Sequence, residues 1–341
     1  MPDMDAHAAL PVGRVFMIRH IAPLAGLMVA SLAVASPVRA DNPAIEPAAA
    51  ALVDPAAEVL ALEQERHARM TLPVTVEGIG PFAFMIDTGS QATAITPEIR
   101  TLAQLAPAGR AVVVGMASRR EVDLASVGRI AFGTFSYANF NAPVLLREHV
   151  GADGIIGLDA LQDVRVLIDF RQQTIALEDA SVKGKRGGFE IVVRAKSRLG
   201  QLLITNAEVE GVRATVIIDT GAQASLGNLA LRDKIRARRA EMVTTTDVNG
   251  VDLPGELVLV RALTIEGLNL TDVPLTFADT PAFKALGLGD EPVLSLGMQH
   301  LALFDRVAID FGRRRIAFDV PADIARAIRQ ARQQGSYRPR F

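Results

Sequence analysis

Two eight-residue runs in this chain place a carboxylate straight after an apolar stretch: "IDTGSQAT" at Ile86–Thr93 and "IDTGAQAS" at Ile218–Ser225. Their acidic residues, Asp87 and Asp219, are the first candidates for chemistry. A single Asp-Thr-Gly is an ordinary turn, because Asp readily caps its own turn. A second copy asks for a different account. If the copies head equivalent lobes related by a pseudo-twofold axis, Asp87 and Asp219 come face to face at the join. Two carboxylates in contact share one proton and titrate as a unit. The charged member can take a proton from water, and the protonated member can donate to a carbonyl oxygen or a leaving amine. Such a pair suits direct attack of water on a peptide bond, with no covalent intermediate and no metal.

The elements that must hold these residues are legible around them. Phe82, Phe84 and Ile86 alternate with Ala83, Met85 and Asp87, which predicts a strand delivering a carboxylate at its end. Thr-Gly then turns the chain, and Gly lets another backbone come close. The repeat extends well beyond eight residues. "VEG" precedes both motifs, at Val76–Gly78 and Val209–Gly211, and a helix start follows each, Thr96-Pro97-Glu98 in one copy and Asn228 in the other. "DGIIGLDAL" (Asp153–Leu161) lines up with "PVLSLGMQHL" (Pro292–Leu301), and "IDFRQQTIAL" (Ile168–Leu177) with "IDFGRRRIAF" (Ile309–Phe318). Asp87 and Asp219 are 132 positions apart, Gly157 and Gly297 140, and Asp169 and Asp310 141. Landmarks in one order, with a period that drifts only by loop insertion, mark a tandem domain duplication. From Leu72 onward, short β-rich runs broken by Gly, Pro, Asn and Asp predict an all-β fold.

Composition narrows the rest. The net charge of −2 offers no basic face for nucleic acid, and the chain has no Trp and two Tyr to stack on bases. The absence of cysteine removes disulfides, thiol catalysis and thiolate metal sites. Arg14, Arg19 and His20 precede the apolar run Ile21–Ala35, which leads to Val38-Arg39-Ala40, the pattern of a secretory signal. The run is short for a membrane span, which needs about 20 apolar residues. We therefore expect a signal peptide over 1–40, starting at Met1 or Met17, with export to the periplasm or beyond; an uncleaved N-terminal anchor is the alternative. A Pro/Ala-rich tether and short helix are expected over 41–70 and a first lobe over 71–181. A glycine-rich basic linker follows at 182–188, then a second lobe over 189–320 and a C-terminal helix with a basic tail over 321–341.

With these residues in hand, the sequence resembles a pepsin-fold aspartic protease whose two lobes are of the retropepsin-like kind, fused in one exported, bacterial-type chain. In that family each lobe carries a hydrophobic-Asp-Thr-Gly-[Ser/Ala] loop, a flap hairpin and a hydrophobic-hydrophobic-Gly sequence that cradles the loop. Asp87-Thr88-Gly89-Ser90 with Ile155-Ile156-Gly157 matches in the first lobe. Asp219-Thr220-Gly221-Ala222 with Leu296-Gly297 matches in the second, where Ser295 departs from the usual aliphatic residue. The resemblance covers roughly Leu72–Val320. It implies a bilobal β fold, a catalytic Asp87/Asp219 pair and no cofactor or metal. It also implies Thr88 and Thr220 exchanging hydrogen bonds across the join, with the Gly89 and Gly221 amides holding the carboxylates coplanar. The flaps would be Val112–Leu124, turning at Gly115-Met116, and Thr244–Leu259, turning at Asn249-Gly250. A peptide or protein substrate would lie extended beneath them, bound through its backbone, on a monomer that keeps no stable membrane insertion once its signal is removed.

Several positions stay open at this level. The Ser90 hydroxyl either donates to the Asp87 carboxylate, keeping Asp87 the ionised member, or satisfies its own turn. Arg119 and Arg120 are solvated hairpin charge or substrate contacts. The five histidines show no metal-ligand spacing, and His300 reads as a helix residue. A non-catalytic peptide-binding or scaffold protein on the same fold is the competing function, because fold alone does not prove activity.

Overall fold

The computed structural model describes residues 15–17, 71–180, 189, 191–236, 240–322 and 324–326. Apart from Val15–Met17, the expected signal, tether and first helix lie outside the described residues, as do the 182–188 linker and most of the C-terminal tail. The expected final helix is described only at its start, where the Ala325 amide donates to the Pro321 carbonyl (2.9 Å).

Each lobe begins with the hairpin that the repeated "VEG" announces. Thr71–Val76 pairs with Ile79–Ile86, and Gln201–Val209 with Val212–Ile218, all antiparallel. The turns Glu77-Gly78 (φ 50° and 77°) and Glu210-Gly211 (φ 48° and 79°) have positive φ at both positions. Such two-residue turns match the right-handed twist of the strands they join. Gly supplies the second position without strain. Glu at the first is held by its carboxylate: Glu77 Oε1 accepts from the Arg129 amide (3.0 Å), and Glu210 Oε1 from the Arg261 amide (2.9 Å). Each hairpin tip is thereby pinned to a neighbouring segment of its own lobe.

The second strand of each hairpin then pairs in parallel with a short strand from late in the lobe. Met85 and Ile86 lie beside Ile155 and Ile156, and Ile217 and Ile218 beside Ser295 and Leu296. Both partners are fully buried runs, as expected for strands covered on two faces. Each Asp-Thr-Gly loop leaves the sheet at this parallel pair, and the predicted helices follow it at Pro97–Leu102 and Leu229–Arg232. Asn228 caps the latter by accepting from the Leu231 amide (3.0 Å).

A six-stranded antiparallel sheet joins the lobes, in the order Val15–Met17, Thr174–Asp179, Val164–Asp169, Arg306–Asp310, Arg315–Asp319, Ile191–Arg194. Its central pair explains the third repeat landmark. Leu167 lies opposite Ala308, Val166 opposite Ile309 and Arg165 opposite Asp310. Leu167 and Ala308 are 141 positions apart, the same offset that relates Asp169 to Asp310. The duplicated strand therefore pairs with its own copy, and the pseudo-twofold axis passes through that pairing. Val166, Ile168, Val307 and Ile309 are buried there and belong to one apolar core that runs through both lobes. At roughly 1.5–3 kcal/mol for each buried aliphatic side chain, this shared sheet fixes how the lobes meet. The chain is an all-β bilobal fold. A cut after Ala40 would remove the Val15–Met17 strand and open the Thr174–Asp179 edge.

Candidate active site

The two Asp-Thr-Gly loops meet at the join with near-identical backbone geometry. Asp87 Oδ1 accepts from the amides of Gly89 (2.8 Å) and Ser90 (3.0 Å). Asp219 Oδ1 accepts from the amides of Gly221 (3.1 Å) and Ala222 (3.0 Å). Each carboxylate is thus held by its own turn, which fixes its plane. The threonines cross over: the Thr88 amide donates to Thr220 Oγ1 (3.1 Å), and the Thr220 amide to Thr88 Oγ1 (3.2 Å). Their hydroxyls donate in turn to the opposite strands, Thr88 to the Ile218 carbonyl and Thr220 to the Ile86 carbonyl, both at 2.7 Å.

Glycine is required at the next position for a definite reason. A Cβ on Gly89 would sit 2.6 Å from Asp219 Oδ1, and a Cβ on Gly221 would collide with the Asp87 carboxyl group. Each glycine donates to its own carboxylate and packs against the other, so both carboxylates abut the same two glycines. The structure brings together all six residues expected around the pair: Thr88, Gly89, Ser90, Thr220, Gly221 and Ala222. One prop was not legible beforehand. Gln201, buried in the second lobe, donates from Nε2 to the Gly89 carbonyl (2.8 Å).

Behind the loops lie the residues of the two cradle motifs. The Asp87 amide donates to the Ile156 carbonyl (3.0 Å) and the Asp219 amide to the Leu296 carbonyl (3.1 Å). Gly157 and Gly297 lie against the loop backbone at Ala92 and Ala224, where no Cβ fits. Their amides donate to Thr93 Oγ1 (3.1 Å) and Ser225 Oγ (2.9 Å), the eighth letters of the two motifs. Both letters carry a hydroxyl, and that was the available signal for this role.

From here the lobes diverge. Thr93 donates to the Asp159 carboxylate (2.7 Å), whereas Ser225 Oγ shares a 2.6 Å hydrogen bond with His300 Nδ1. His300 lies on the helix Met298–Leu301, as the sequence suggested, and is buried. Desolvation lowers its pKa from 6.5 to about 4, so the ring is neutral near pH 7.

The second divergence lies at the carboxylates themselves. The Ser90 hydroxyl donates to the Ala92 carbonyl (2.9 Å), so it satisfies its own turn. The hydroxyl that does reach a carboxylate is that of Ser295, which donates to Asp219 Oδ2 (2.9 Å) from a fully buried position. Ile155 occupies the corresponding place in the first lobe, beside Met85 as Ser295 is beside Ile217. Asp219 is buried and Asp87 half-buried.

The expected flaps are hairpins, Pro107–Val114 with Arg119–Phe132 and Ala240–Thr246 with Asp252–Val260. Gly115 and Met116 lie in the first turn, Asn249 and Gly250 in the second, and the two turns interlock. Asp247 Oδ2 accepts from the Ala117 amide (3.1 Å) and Ser118 Oγ (2.8 Å), while its Oδ1 accepts from the Asn249 and Val251 amides of its own turn. Asn249 Nδ2 donates to Ser118 Oγ (3.0 Å). Arg120 donates to the Asn249 carbonyl (2.9 Å), a bridge between hairpins that neither reading of this arginine foresaw, and Arg119 is exposed. Apolar contacts cross over as well. Met116 packs on second-lobe residues that include Ile217 and Phe283, and Val248 on first-lobe residues that include Met85 and Ile155.

Two pseudo-symmetric β lobes that each send one carboxylate loop to their join, together with a pair of interlocked hairpins, define a bilobal paired-carboxylate class of protein. An aspartyl protease family model matches residues 72–160 and 205–300, one segment in each lobe, and the chain belongs to the aspartyl protease family. No curated protein matches the chain. Among the described residues, no helix is long and apolar enough to cross a membrane, and no three His, Cys, Asp or Glu side chains cluster as metal ligands.

Proposed function

We propose that this chain is an aspartic endopeptidase in which Asp87 and Asp219 work as one acid–base unit. The observation that carries the reading is the reciprocal packing of Gly89 and Gly221, each bonded to its own carboxylate and lying against the other. Carboxylates confined in this way share a proton. The ionised member draws a proton from a bound water, whose oxygen attacks the peptide carbonyl carbon. The protonated member gives its proton to the carbonyl oxygen. Collapse of the tetrahedral diol then breaks the C–N bond: one diol hydroxyl returns its proton to the ionised member as the protonated member gives its proton to the leaving amine, and the pair again holds one proton. The Thr88/Thr220 exchange keeps the two loops in register through these steps.

An extended peptide would lie between the hairpins and the carboxylates as a strand does, its backbone bonded to the hairpins, once the interlocked tips have parted. Because one chain carries both halves of the pair, the working unit is a monomer. The basic and apolar pattern up to Ala40 supports an exported, periplasmic or extracellular protein. Incubation of the purified protein with a mixed peptide library tests the reading. Internal cleavage is expected, and it is abolished by a hydroxyethylene inhibitor that mimics the tetrahedral diol. Saturable peptide binding without any cleavage, across acidic and neutral pH, would overturn it in favour of a scaffold role.

A further inference from the structure

We propose that Ser295 is a positioning residue that makes Asp219 the ionised member of the pair, leaving Asp87 as the proton donor. The proposal rests on the shared-proton reading above. It reverses the polarity that the loop sequences suggest, where Ser90 follows Asp87-Thr-Gly and Ala222 follows Asp219-Thr-Gly.

Four observations carry it. Ser295 is 1% exposed, and its Oγ lies 2.9 Å from Asp219 Oδ2, the oxygen that the Gly221 and Ala222 amides do not bond. The Ser90 hydroxyl is spent on the Ala92 carbonyl. The first-lobe counterpart of Ser295 is Ile155, which has no hydroxyl to give. The strand that bears Ser295 reads Val293-Leu294-Ser295-Leu296, so its one polar side chain is the one aimed at the carboxylate.

A hydroxyl has a single proton to donate. Donated to a carboxylate, it stabilises the charged form and lowers the pKa, and in a buried setting the bond is stronger than in water. Among the described residues, the other titratable groups near the two loops are engaged elsewhere. Asp87 faces Asp219 across the glycines and is the partner in the shared proton. His300, on the helix behind the second loop, is bonded to Ser225 and neutral above about pH 4. Asp247, at the flap tip, is bonded within its turn and to Ala117 and Ser118. The Ser295 bond outweighs the deeper burial of Asp219, which by itself disfavours a charged carboxylate, so the charge on the pair rests on the Asp219 side and Asp219 takes the proton from water.

The test compares the pH dependence of kcat/KM for wild type, Ser295→Ala, Ser295→Thr and Ser90→Ala. The acidic limb reports the ionised member in the free enzyme. Removing its donor makes that member bind protons more tightly, so the limb in Ser295→Ala rises by about one pH unit, a tenfold change in proton affinity. Ser295→Thr keeps the hydroxyl and returns the limb toward wild type, and Ser90→Ala leaves it in place. A carbon-13 NMR titration of labelled aspartate carboxyls gives the same readout without turnover. In an Asp87→Asn background, where Asp219 titrates alone, Ser295→Ala should raise the Asp219 midpoint by a similar amount. If the protein cleaves nothing but this midpoint moves, the peptidase reading fails and the role of Ser295 stands. An unmoved limb and midpoint in Ser295→Ala, or a limb that moves in Ser90→Ala instead, overturns the proposal.

Discussion

The first and second lobes hold their carboxylates with the same backbone and different side chains. In both, two turn amides grip one oxygen, a cradle carbonyl takes the Asp amide, and a rear hydroxyl takes the cradle glycine amide. Behind that frame the first lobe uses Asp159 and Ile155, the second His300 and Ser295. The difference teaches where a duplicated site can change. Backbone bonds set the meeting of the two loops, and altering them would displace both carboxylates at once. The side-chain hydrogen bonds behind the frame each stay within one lobe, so they can change its charge and pH response without moving the join. Two similar halves can then play unlike parts in one reaction.

The sharpest way to break the symmetric part of this comparison is at the glycines. In Gly89→Ala and Gly221→Ala the new methyl falls on the opposite carboxylate, so at least one loop must shift. A displacement of about 1 Å lowers turnover by roughly a hundredfold. We expect kcat in both variants to fall by about that factor or more, with a lower Tm, and near-equal losses from the two sides. A large loss from one glycine beside near-normal turnover from the other would contradict the reciprocal packing.

The asymmetric part is sharpened by pH. His300 has its pKa lowered to about 4 by burial, so between pH 6.5 and 4 the unfolded chain binds a proton that the folded chain does not. Stability from the neutral ring is complete above pH 6.5 and is lost as pH falls through that window, by an amount on the order of 3 kcal/mol. Thermal unfolding followed from pH 7 to pH 4 should show Tm falling on acidification, and His300→Gln should flatten that slope. An equal slope in wild type and variant would show that His300 titrates normally.

A smaller effect is expected at the flap tips, where Asp247 of one hairpin holds Ala117 and Ser118 of the other. Asp247→Asn removes the charge and presents an amide group to those donors. Hydrogen bonds to charged groups contribute about 1.5–3 kcal/mol. Exchange of the Ala117 amide with deuterium should therefore quicken by about tenfold or more, with a modest change in KM. Unchanged exchange would mean that the tips are held without Asp247, by the Asn249–Ser118 and Arg120–Asn249 bonds and by Met116 and Val248 packing.

Much of this organisation was legible in the sequence, because duplication prints the same signals twice. The strands, both Asp-Thr-Gly loops, both cradle glycines and the hairpin turns follow from local pattern, and the order of the landmarks implies the bilobal all-β fold. What was hidden depends on contacts between distant segments. The direction of a hydroxyl is set by tertiary packing, so the two readings of Ser90 stayed open and Ser295 looked like a mere departure from an aliphatic pattern. The interlock of Asp247 with Ser118 links turns 129 residues apart, and nothing in either turn announces its partner. Arg120 reads as solvated charge until the opposing hairpin supplies the Asn249 carbonyl. Gln201 stands in an ordinary strand, and only the join shows that its amide props Gly89.

The central claim is that one carboxylate from each lobe makes a single acid–base unit, and isosteric removal of either member tests it most directly. Asp87→Asn and Asp219→Asn should fold with Tm within a few degrees of wild type. General acid–base groups contribute about 10²–10⁴-fold, and each variant removes a role that the other carboxylate cannot fill alone. The account predicts that peptide cleavage falls by at least that range in both folded variants, and by no more in the double variant than in either single one. Substantial cleavage by either folded single variant, or losses that multiply in the double, would contradict a shared unit.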